Sequence, residues 1–293
     1  MGSPMAGHLA SAGYRVTAFD INGEALGRLC AQYPTVSAAA SPRAVAAASD
    51  IVVTMLPSGL PVFEAVTGEG GMLTAFRPGG MLLDTSSSEP WFTSRTAAAL
   101  AEAGVAMVDA PVSGAQAGAK AAELVFMVGG ETGPVERARP LLQAMGKAIH
   151  HLGPIGSGHA MKSINNLITA MTFLATAEGL VIGKAYGLDP AVMTDVLNQS
   201  TGMSWITQTH IAQRVLSRRF DDAFKLDLMV KDIGIALQTA GDLHLDLPFA
   251  ALAQSIWRDA QAKTPAGGSV SELVRTVERR TGVELTSPSM GAG

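Results

Sequence analysis

The sequence is poor in cysteine and in charge, and it contains no run of basic residues. One cysteine, Cys30, in 293 residues excludes an internal disulfide framework and is consistent with a reducing compartment. Because Cys30 lies in an apolar helical stretch, we expect a packed thiol rather than a nucleophile. The formal net charge of −4 offers no basic surplus for a nucleic-acid backbone, so no nucleic-acid partner is expected.

Signals for membranes and metals are also weak. The N-terminus lacks a basic region followed by an apolar run, as a signal peptide would have. The most apolar stretch, Leu167–Ile182, contains Glu178 and several threonines, which predicts a buried helix rather than a membrane span. His150, His151 and His159 lack carboxylate or cysteine partners at ligand spacing, so no metal site is expected. We therefore expect a cytoplasmic protein.

The first half of the chain alternates apolar strands with alanine-rich helices such as Gly23–Tyr33 and Pro90–Ala103. Six predicted strands are Arg15–Phe19, Asp50–Met55, Gly80–Leu83, Val105–Val108, Leu124–Val128 and Ile149–Leu152. This alternation predicts a Rossmann-like α/β domain with a mostly parallel sheet covered on both faces. Ligands of such sheets bind at the carboxyl ends of the strands.

A glycine-rich joint, Gly153–Gly158, is the predicted domain boundary. We expect a dinucleotide-binding domain over residues 1–155, a helical substrate and dimerisation domain over residues 156–287, and a disordered tail over residues 288–293. The second domain begins with a long linking helix, His159–Tyr186, and is all-α. Its further predicted helices are Pro190–Asn198, Lys225–Gly241 and Pro248–Ala262.

Residues 1–20 have the spacing of the second part of a dinucleotide-binding unit. Gly2 precedes Asp20 by eighteen positions, with a predicted helix from Pro4 to Ala12 between them. In such units an acidic residue about 20 positions after the glycine loop binds the adenosine ribose hydroxyls. Asp20 then favours NAD over NADP, because its carboxylate repels a 2′-phosphate, and the helix N-terminus faces the pyrophosphate. The alternative for Asp20 is a turn former with a capping role.

Three polar residues share one face of the long linking helix. Lys162, Asn165 and Asn166 lie at positions i, i+3 and i+4. Paired asparagines inside a helix cost about 0.5 kcal/mol each relative to alanine. The pattern predicts either a solvated polar face or a functional group of side chains.

Four motifs, in order along the chain, resemble those of the β-hydroxyacid dehydrogenase family, which includes 3-hydroxyisobutyrate dehydrogenase. They are Met1–Ala6, Asp109–Gly114, Gly156–Asn166 and Leu228–Asp232. The resemblance covers residues 1 to about 235. It implies an NAD-dependent oxidoreductase that transfers hydride between nicotinamide and a small β-hydroxy acid or its semialdehyde.

The resemblance assigns roles on the substrate side. Lys162 is the proton-transfer residue, a role that requires a lysine with a lowered pKa. Ser113 and Gly114 bind the substrate carboxylate with a hydroxyl and backbone N–H groups. Asn165 and Asn166 orient the substrate and the lysine. Asp232 supports either its neighbouring lysine or the substrate, the alternative being a surface ion pair.

On the cofactor side, the resemblance points to residues in both predicted domains. They are Gly2, Pro4, Met5, Asp20, Leu56, Pro57, Ser87 and Lys231.

The chain departs from the family pattern at three places. The first strand and the first two glycines of the dinucleotide fingerprint are absent, which weakens the expected cofactor affinity. Ala115 stands where the family usually has another glycine after Ser113-Gly114. Ala122-Glu123 stands where a Gly-Thr pair is common. The last two departures predict a reshaped loop.

Several alternatives remain open at this point. One is an NADPH-dependent semialdehyde reductase or an imine reductase, although Lys162 favours carbonyl and alcohol chemistry. A 6-phosphogluconate dehydrogenase is disfavoured because the chain is too short after residue 156 and lacks a basic cluster for phosphate. A different class is a non-catalytic dimerising scaffold with impaired cofactor binding. In each case the apolar surface of the long helix predicts a homodimer or homotetramer.

Overall fold

A computed structural model describes residues 1–287 and divides into two compact units. The first unit is Met1–Lys162, and the second begins at Ser163. The division between these units therefore lies inside the long helix, and the domain boundary at residue 155 stays a prediction. The predicted disordered tail lies outside the described residues.

The first unit alternates strands and helices along the chain. Its elements are α1 (Gly2–Ser11), β1 (Val16–Ala18), α2 (Gly23–Gln32), β2 (Val36–Ala38), α3 (Pro42–Ala48), β3 (Ile51–Thr54), α4 (Gly59–Thr67), β4 (Met81–Asp84), α5 (Pro90–Glu102), β5 (Ala106–Asp109), β6 (Val112–Ser113), α6 (Ala115–Ala121), β7 (Leu124–Gly129), α7 (Thr132–Met145) and β8 (Gly146–Gly153).

The strands form a mostly parallel arrangement, which confirms the predicted Rossmann-like domain. Strands β1 and β2 pair as a parallel two-stranded sheet. The other six form a second sheet in the order β3-β4-β5-β7-β6, with β8 also paired to β7. The pairs β3–β4, β4–β5 and β7–β8 are parallel, whereas β7 runs antiparallel to β5 and β6. Two strands were not predicted: β2, which contains three residues, and β6, which contains two.

Strand β4 lies at the centre of the first unit, and all four of its residues are buried. Its side chains alternate between the two faces of the sheet. Met81 and Leu83 belong to the core cluster that includes helix α7, whereas Leu82 belongs to the cluster that includes helices α4 and α5. Both faces of the sheet are therefore covered, as a continuous apolar strand requires.

The second unit is helical over its described residues. Helix α8 (Ser157–Tyr186) starts in the first unit and continues into the second, and it is followed by α9 (Pro190–Asn198), a π-helix (Ile206–Leu216), α10 (Leu226–Asp242), α11 (Pro248–Ala262) and α12 (Glu272–Thr281). The predicted bounds of α9 and α11 match, and those of α8 and α10 differ by one or two residues. The π-helix and α12 were not predicted.

The π-helix is long for a type that usually forms a single turn. It begins with a reciprocal pair of hydrogen bonds: the Ser204 N–H donates to Thr207 Oγ1 at 2.9 Å, and the Thr207 N–H donates to Ser204 Oγ at 3.2 Å. Its buried residues include Ile206, Ile211 and Val215. Because a π-helix bonds residue i to residue i+5, its turn is wider than the 3.6-residue template on which the helix predictions rest.

Helix α8 is long and apolar enough to cross a membrane by length and composition alone. Its 18-residue window has a mean hydropathy of 1.4, and 50% of that window is buried within the protein. Core helices of soluble proteins share this composition, so the match is weak evidence for a membrane span. Part of its buried side packs on Trp257, whose Nε1 donates to the Ala170 carbonyl oxygen at 3.2 Å.

Candidate active site

Two aspartates end neighbouring strands at the carboxyl edge of the sheet. Asp84 is the last residue of β4 and Asp109 the last residue of β5, and the two are partners in the parallel register. Their exposed fractions are 1% and 0%. Buried carboxylates need donors to offset the loss of water, so the partners of each one define the local structure.

Asp84 takes its donors from the two segments at the ends of β3 and β4. Its Oδ1 accepts from Thr54 Oγ1 at 2.9 Å and from the Ser86 N–H at 3.0 Å, and its Oδ2 accepts from Ser88 Oγ at 2.8 Å. Ser86 Oγ in turn accepts from the Leu56 N–H at 2.8 Å. The network thus joins the segment of Leu56 to the segment that includes Ser87. The family resemblance assigns residues of both segments to cofactor binding.

Asp109 takes its donors from the start of helix α8. Its Oδ1 accepts from the Gly156 N–H at 2.7 Å, and its Oδ2 accepts from the His159 N–H at 2.9 Å. The glycine joint of the sequence therefore lies directly on the end of β5.

His159 is fully buried between these two aspartates. Its Nδ1 lies 2.7 Å from Thr93 Oγ1, and its Nε2 lies 3.1 Å from the Ser86 carbonyl oxygen. Since a carbonyl can only accept, Nε2 carries a proton. The nearest carboxylate oxygens of Asp84 and Asp109 lie 3.6 and 3.7 Å from the ring nitrogens. His159 was not predicted as a residue of the site. Its spacing of three residues from Lys162, which puts both on one face of α8, was the signal that could have indicated it.

The polar face of α8 beyond Lys162 continues into a second buried network. Asn165 Nδ2 donates to Asn166 Oδ1 at 3.0 Å, and Asn166 Nδ2 donates to Asp232 Oδ2 at 2.5 Å. Lys231 Nζ lies 3.3 Å from Asp232 Oδ1. With 2% exposure, Asp232 is not part of a surface ion pair. Four predicted site residues are therefore in contact with one another.

Ser113 and Gly114 lie at the junction of β6 and α6. Gly114 has a φ of +120°, which favours glycine. The following Ala115 has a φ of +51°, and Ala122, at the end of α6, has a φ of +56°. The family's usual glycine after Gly114 suits such a backbone, whereas this chain holds alanine there in a left-handed conformation.

The predicted cofactor residues of the N-terminal segment divide between surface and core. Gly2 is the first residue of α1, whose N-cap Met1 makes no side-chain cap hydrogen bond. Pro4 lies in the first turn, and the side chain of Met5 is buried in the core. Asp20 is exposed after β1, and one of its oxygens accepts from the Asn22 N–H at 2.8 Å. An exposed carboxylate and a helix N-terminus without a side-chain cap fit a dinucleotide.

Two family models match the chain and together cover most of it. Residues 1–153 match the NAD-binding domain of 6-phosphogluconate dehydrogenase. Residues 156–277 match the NAD-binding domain of NADP-dependent 3-hydroxyisobutyrate dehydrogenase.

Curated relatives with similar sequences are dehydrogenases of small hydroxy acids. The chain is 36% identical to a 2-(hydroxymethyl)glutarate dehydrogenase of Eubacterium barkeri, with 98% of this chain and 94% of that protein covered. It is 36% identical to a 3-hydroxyisobutyrate dehydrogenase of Pseudomonas aeruginosa, with 94% and 95% covered. It is 37% identical to an NAD-dependent L-serine dehydrogenase of the same organism, with 88% of each covered.

Two solved structures have a similar fold, and one of them is also similar in sequence. The 3-hydroxyisobutyrate dehydrogenase of Mycobacterium tuberculosis, described together with L-serine, has a TM-score of 0.87 and 32% identity, with 94% of this chain and 95% of that chain covered. An imine reductase from Streptomyces aurantiacus, at a TM-score of 0.62 and 18% identity, covering 94% of this chain and 95% of that one, shows similarity of fold alone.

Proposed function

This chain belongs to the β-hydroxyacid dehydrogenase family and is an NAD-dependent oxidoreductase that acts on the CH–OH group of hydroxy acids, and from that premise we propose that Lys162 transfers the hydroxyl proton of a small β-hydroxy carboxylic acid. Bound NAD supplies the hydride acceptor. The Lys162 amine accepts the proton of the substrate hydroxyl during oxidation and returns it to the carbonyl oxygen during reduction.

The substrate carboxylate binds at the junction of β6 and α6 in this proposal. The Ser113 hydroxyl and the backbone N–H groups around Gly114 are the donors. The turn in which Gly114 has a φ of +120° supports it, because successive N–H groups in such a turn can converge on an anion.

The contacts of Asn166 are the observation on which the proposal mainly rests. Both ends of its amide have partners: Oδ1 accepts from Asn165, and Nδ2 donates to Asp232. A fixed amide one turn from Lys162 on the same helix face suits a residue that orients substrate and lysine. In this scheme Asp232 holds Asn166 and Lys231 rather than binding the substrate directly.

For the cofactor, we propose NAD rather than NADP, with Asp20 on the adenosine ribose and the N-terminus of α1 at the pyrophosphate. Leu56, Pro57 and Ser87 then lie along the cofactor. The Asp84 network supports this assignment, since it joins the segments that contain these residues. Met5 contributes through packing, because its side chain belongs to the core.

The substrate class is a three- or four-carbon β-hydroxy acid of the 3-hydroxyisobutyrate type. L-Serine is a second candidate, because one relative is named as an L-serine dehydrogenase and one similar structure is described with L-serine. Both candidates place a hydroxyl on the carbon β to a carboxylate.

We further propose a cytoplasmic homodimer or homotetramer formed through the helical unit. Helix α8 has an exposed apolar stripe that includes Ile164, Ile168, Ile182 and Tyr186. Large exposed apolar patches on soluble domains commonly mark protein interfaces.

The test is a steady-state assay of NAD reduction with 3-hydroxyisobutyrate, L-serine and 2-(hydroxymethyl)glutarate, with Lys162→Arg as the variant. Arginine stays protonated and so cannot accept the hydroxyl proton during oxidation, and kcat should fall by about 10²- to 10⁴-fold. The Kd of NADH, measured by fluorescence titration, should stay close to that of the unaltered protein. Loss of NADH binding in the variant would contradict the assignment of Lys162 to proton transfer.

The same titration separates the alternatives. Tighter binding of NADPH than NADH, together with faster semialdehyde reduction, would establish the NADPH-dependent reductase. Failure to bind either dinucleotide would favour the non-catalytic scaffold.

A further inference from the structure

We infer that Asp109 is a positioning residue for Lys162: its buried carboxylate caps the amino end of helix α8 and so sets where the lysine lies. This inference rests on the proposed role of Lys162. It assigns a function to an interaction between β5 and the glycine joint that the reaction scheme above does not use.

The cap is supplied from a distant strand. The first N–H groups of a helix lack partners within the helix, and a side chain at the N-cap usually accepts from one of them. Helix α8 is preceded by Gly156, which has no side chain to do so. Asp109 takes over this function, with one oxygen on the Gly156 N–H and the other on the His159 N–H.

Two glycines, Gly129 and Gly158, leave room for this carboxylate, because a Cβ on either one would meet it. A Cβ on Gly158 would lie 2.8 Å from Asp109 Oδ2 and 2.2 Å from the Met127 carbonyl oxygen. A Cβ on Gly129 would lie 2.4 Å from Asp109 Oδ1 and 2.9 Å from the Ser157 nitrogen. Any side chain at either position would therefore push the start of α8 away from Asp109.

The side chain of His159 adds a second attachment of the same helical turn. It contacts Thr93 on helix α5 and the Ser86 carbonyl after β4. His159 and Lys162 are three residues apart, so they lie on the same face about one turn from each other. Because a helix is stiff over one turn, a shift of its first residues also displaces Lys162.

The neighbouring Asp84 provides a matched comparison. It is equally buried and in register with Asp109, but two of its three donors are hydroxyls. A hydroxyl can reverse and accept from an amide, so Asp84→Asn can keep a hydrogen bond at Oδ2. Asp109→Asn cannot, because its new NH₂ group would face a backbone N–H that is only a donor.

The first experiment compares Asp109→Asn with Asp84→Asn in two measurements. Hydrogen exchange followed by mass spectrometry should show faster exchange over residues 156–162 in Asp109→Asn and unchanged exchange there in Asp84→Asn. In the dehydrogenase assay, Asp109→Asn should lower kcat by about ten- to a hundredfold while the KM for NAD stays constant.

A second pair of variants tests the position of the helix without changing a charge. Gly158→Ala should displace the start of α8 and so reproduce the faster exchange and the lower kcat. Gly133→Ala is its control, since Gly133 is likewise the second residue of its helix, α7, and a Cβ there would meet nothing within 4 Å. This control should leave exchange and kcat unchanged.

Unchanged exchange over residues 156–162 in both Asp109→Asn and Gly158→Ala would overturn the cap. Faster exchange with kcat unchanged would overturn the positioning of Lys162. If the unaltered protein oxidises no hydroxy acid, the proposed function fails, and the exchange measurement still decides whether Asp109 holds the helix.

Discussion

At the scale of single residues, Trp257 and Trp205 occupy opposite environments in the helical unit. Trp257 is 0% exposed, packs edge-on against Phe173 at a centroid distance of 6.1 Å, and donates to the Ala170 carbonyl. Trp205 is 58% exposed and contacts the ring of His210 at 4.4 Å. Only Trp257 is therefore a core anchor.

Trp257→Ala should lower the free energy of unfolding by about 3–5 kcal/mol, because it removes a large buried side chain and leaves a cavity. Urea denaturation followed by circular dichroism measures this change. Trp205→Ala is the control and should stay within about 0.5 kcal/mol of the unaltered protein. Equal losses for the two variants would contradict the assignment.

His210 is the residue from which a pH dependence of stability follows. Burial lowers the pKa of the His210 imidazole, and this outweighs the nearby Asp222 carboxylate, which raises it. A lowered pKa in the folded state means that the unfolded state binds protons more readily. The stabilising contribution of neutral His210 is thus complete above the unfolded pKa of about 6.5 and is lost as the pH falls below that value.

We therefore expect the melting temperature to fall less steeply between pH 8 and pH 5.5 in His210→Gln than in the unaltered protein. Differential scanning fluorimetry at a series of pH values measures the two slopes. The difference between the two slopes isolates the contribution of His210, because the other titrating groups contribute to both. A steeper slope for the variant would show that Asp222 dominates instead.

At the level of single residues, the sequence predicts the arrangement of neighbours that lie close together along the chain. The spacing of Lys162, Asn165 and Asn166 defines one helix face from local geometry alone. The partners of Asn166 and of the glycine joint could not be inferred, since Asp232 is 66 and Asp109 47 positions away. Which long-range carboxylate meets which helix depends on tertiary packing.

At the scale of secondary-structure elements, helices with strong start signals were predicted best. Helices α9 and α11 begin at Pro190 and Pro248, and proline at the first helical position is a local signal. Strand β6, with two residues, is too short to show a period, and the π-helix has a wider turn than the α-helical template. Local pattern therefore located helices with a proline start and missed the two-residue strand and the π-helix.

Helix α6 ends at a residue whose backbone does not suit its side chain. Ala122 has a φ of +56°. A residue with a Cβ costs about 1–2 kcal/mol in this conformation, and glycine is common at such a helix end.

Ala122→Gly should therefore raise the free energy of unfolding by about 1 kcal/mol. The control Ala117→Gly, in the exposed helical part of α6, should lower it by about 1 kcal/mol. Urea denaturation of both variants measures the difference. Destabilisation by Ala122→Gly as well would indicate that α6 ends elsewhere.

At the scale of the whole molecule, the two units have separate cores. The buried apolar residues of the sheet unit pack among themselves, and those from Leu167 onward form another apolar cluster. The fold class and the order of the units could be inferred, because apolar alternation and helical periodicity each extend over many residues. The length of α8 that belongs with the sheet could not, since that depends on Asp109 and the glycines around it.

The exposed stripe of α8 predicts self-association of the whole protein. Ile182 is 71% exposed, and Ile182→Glu would place a charge in the proposed interface. Sedimentation velocity should show a dimer or tetramer for the unaltered protein and a shift towards monomer for the variant. As a control, Val192→Glu alters a residue of α9 that is also exposed and should leave the mass unchanged. A monomeric unaltered protein would contradict the proposal.

The close packing of Gly129, Gly158 and the Asp109 carboxylate also limits which substitutions the sequence can accept during evolution. A side chain at either glycine would meet backbone atoms as well as the Asp109 carboxylate, and a shorter residue at 109 would leave a helix end without an acceptor. Single substitutions at any of the three positions are therefore disfavoured, and shortening the aspartate does not make room for a larger residue at either glycine. Across homologous sequences, we expect all three positions to be retained.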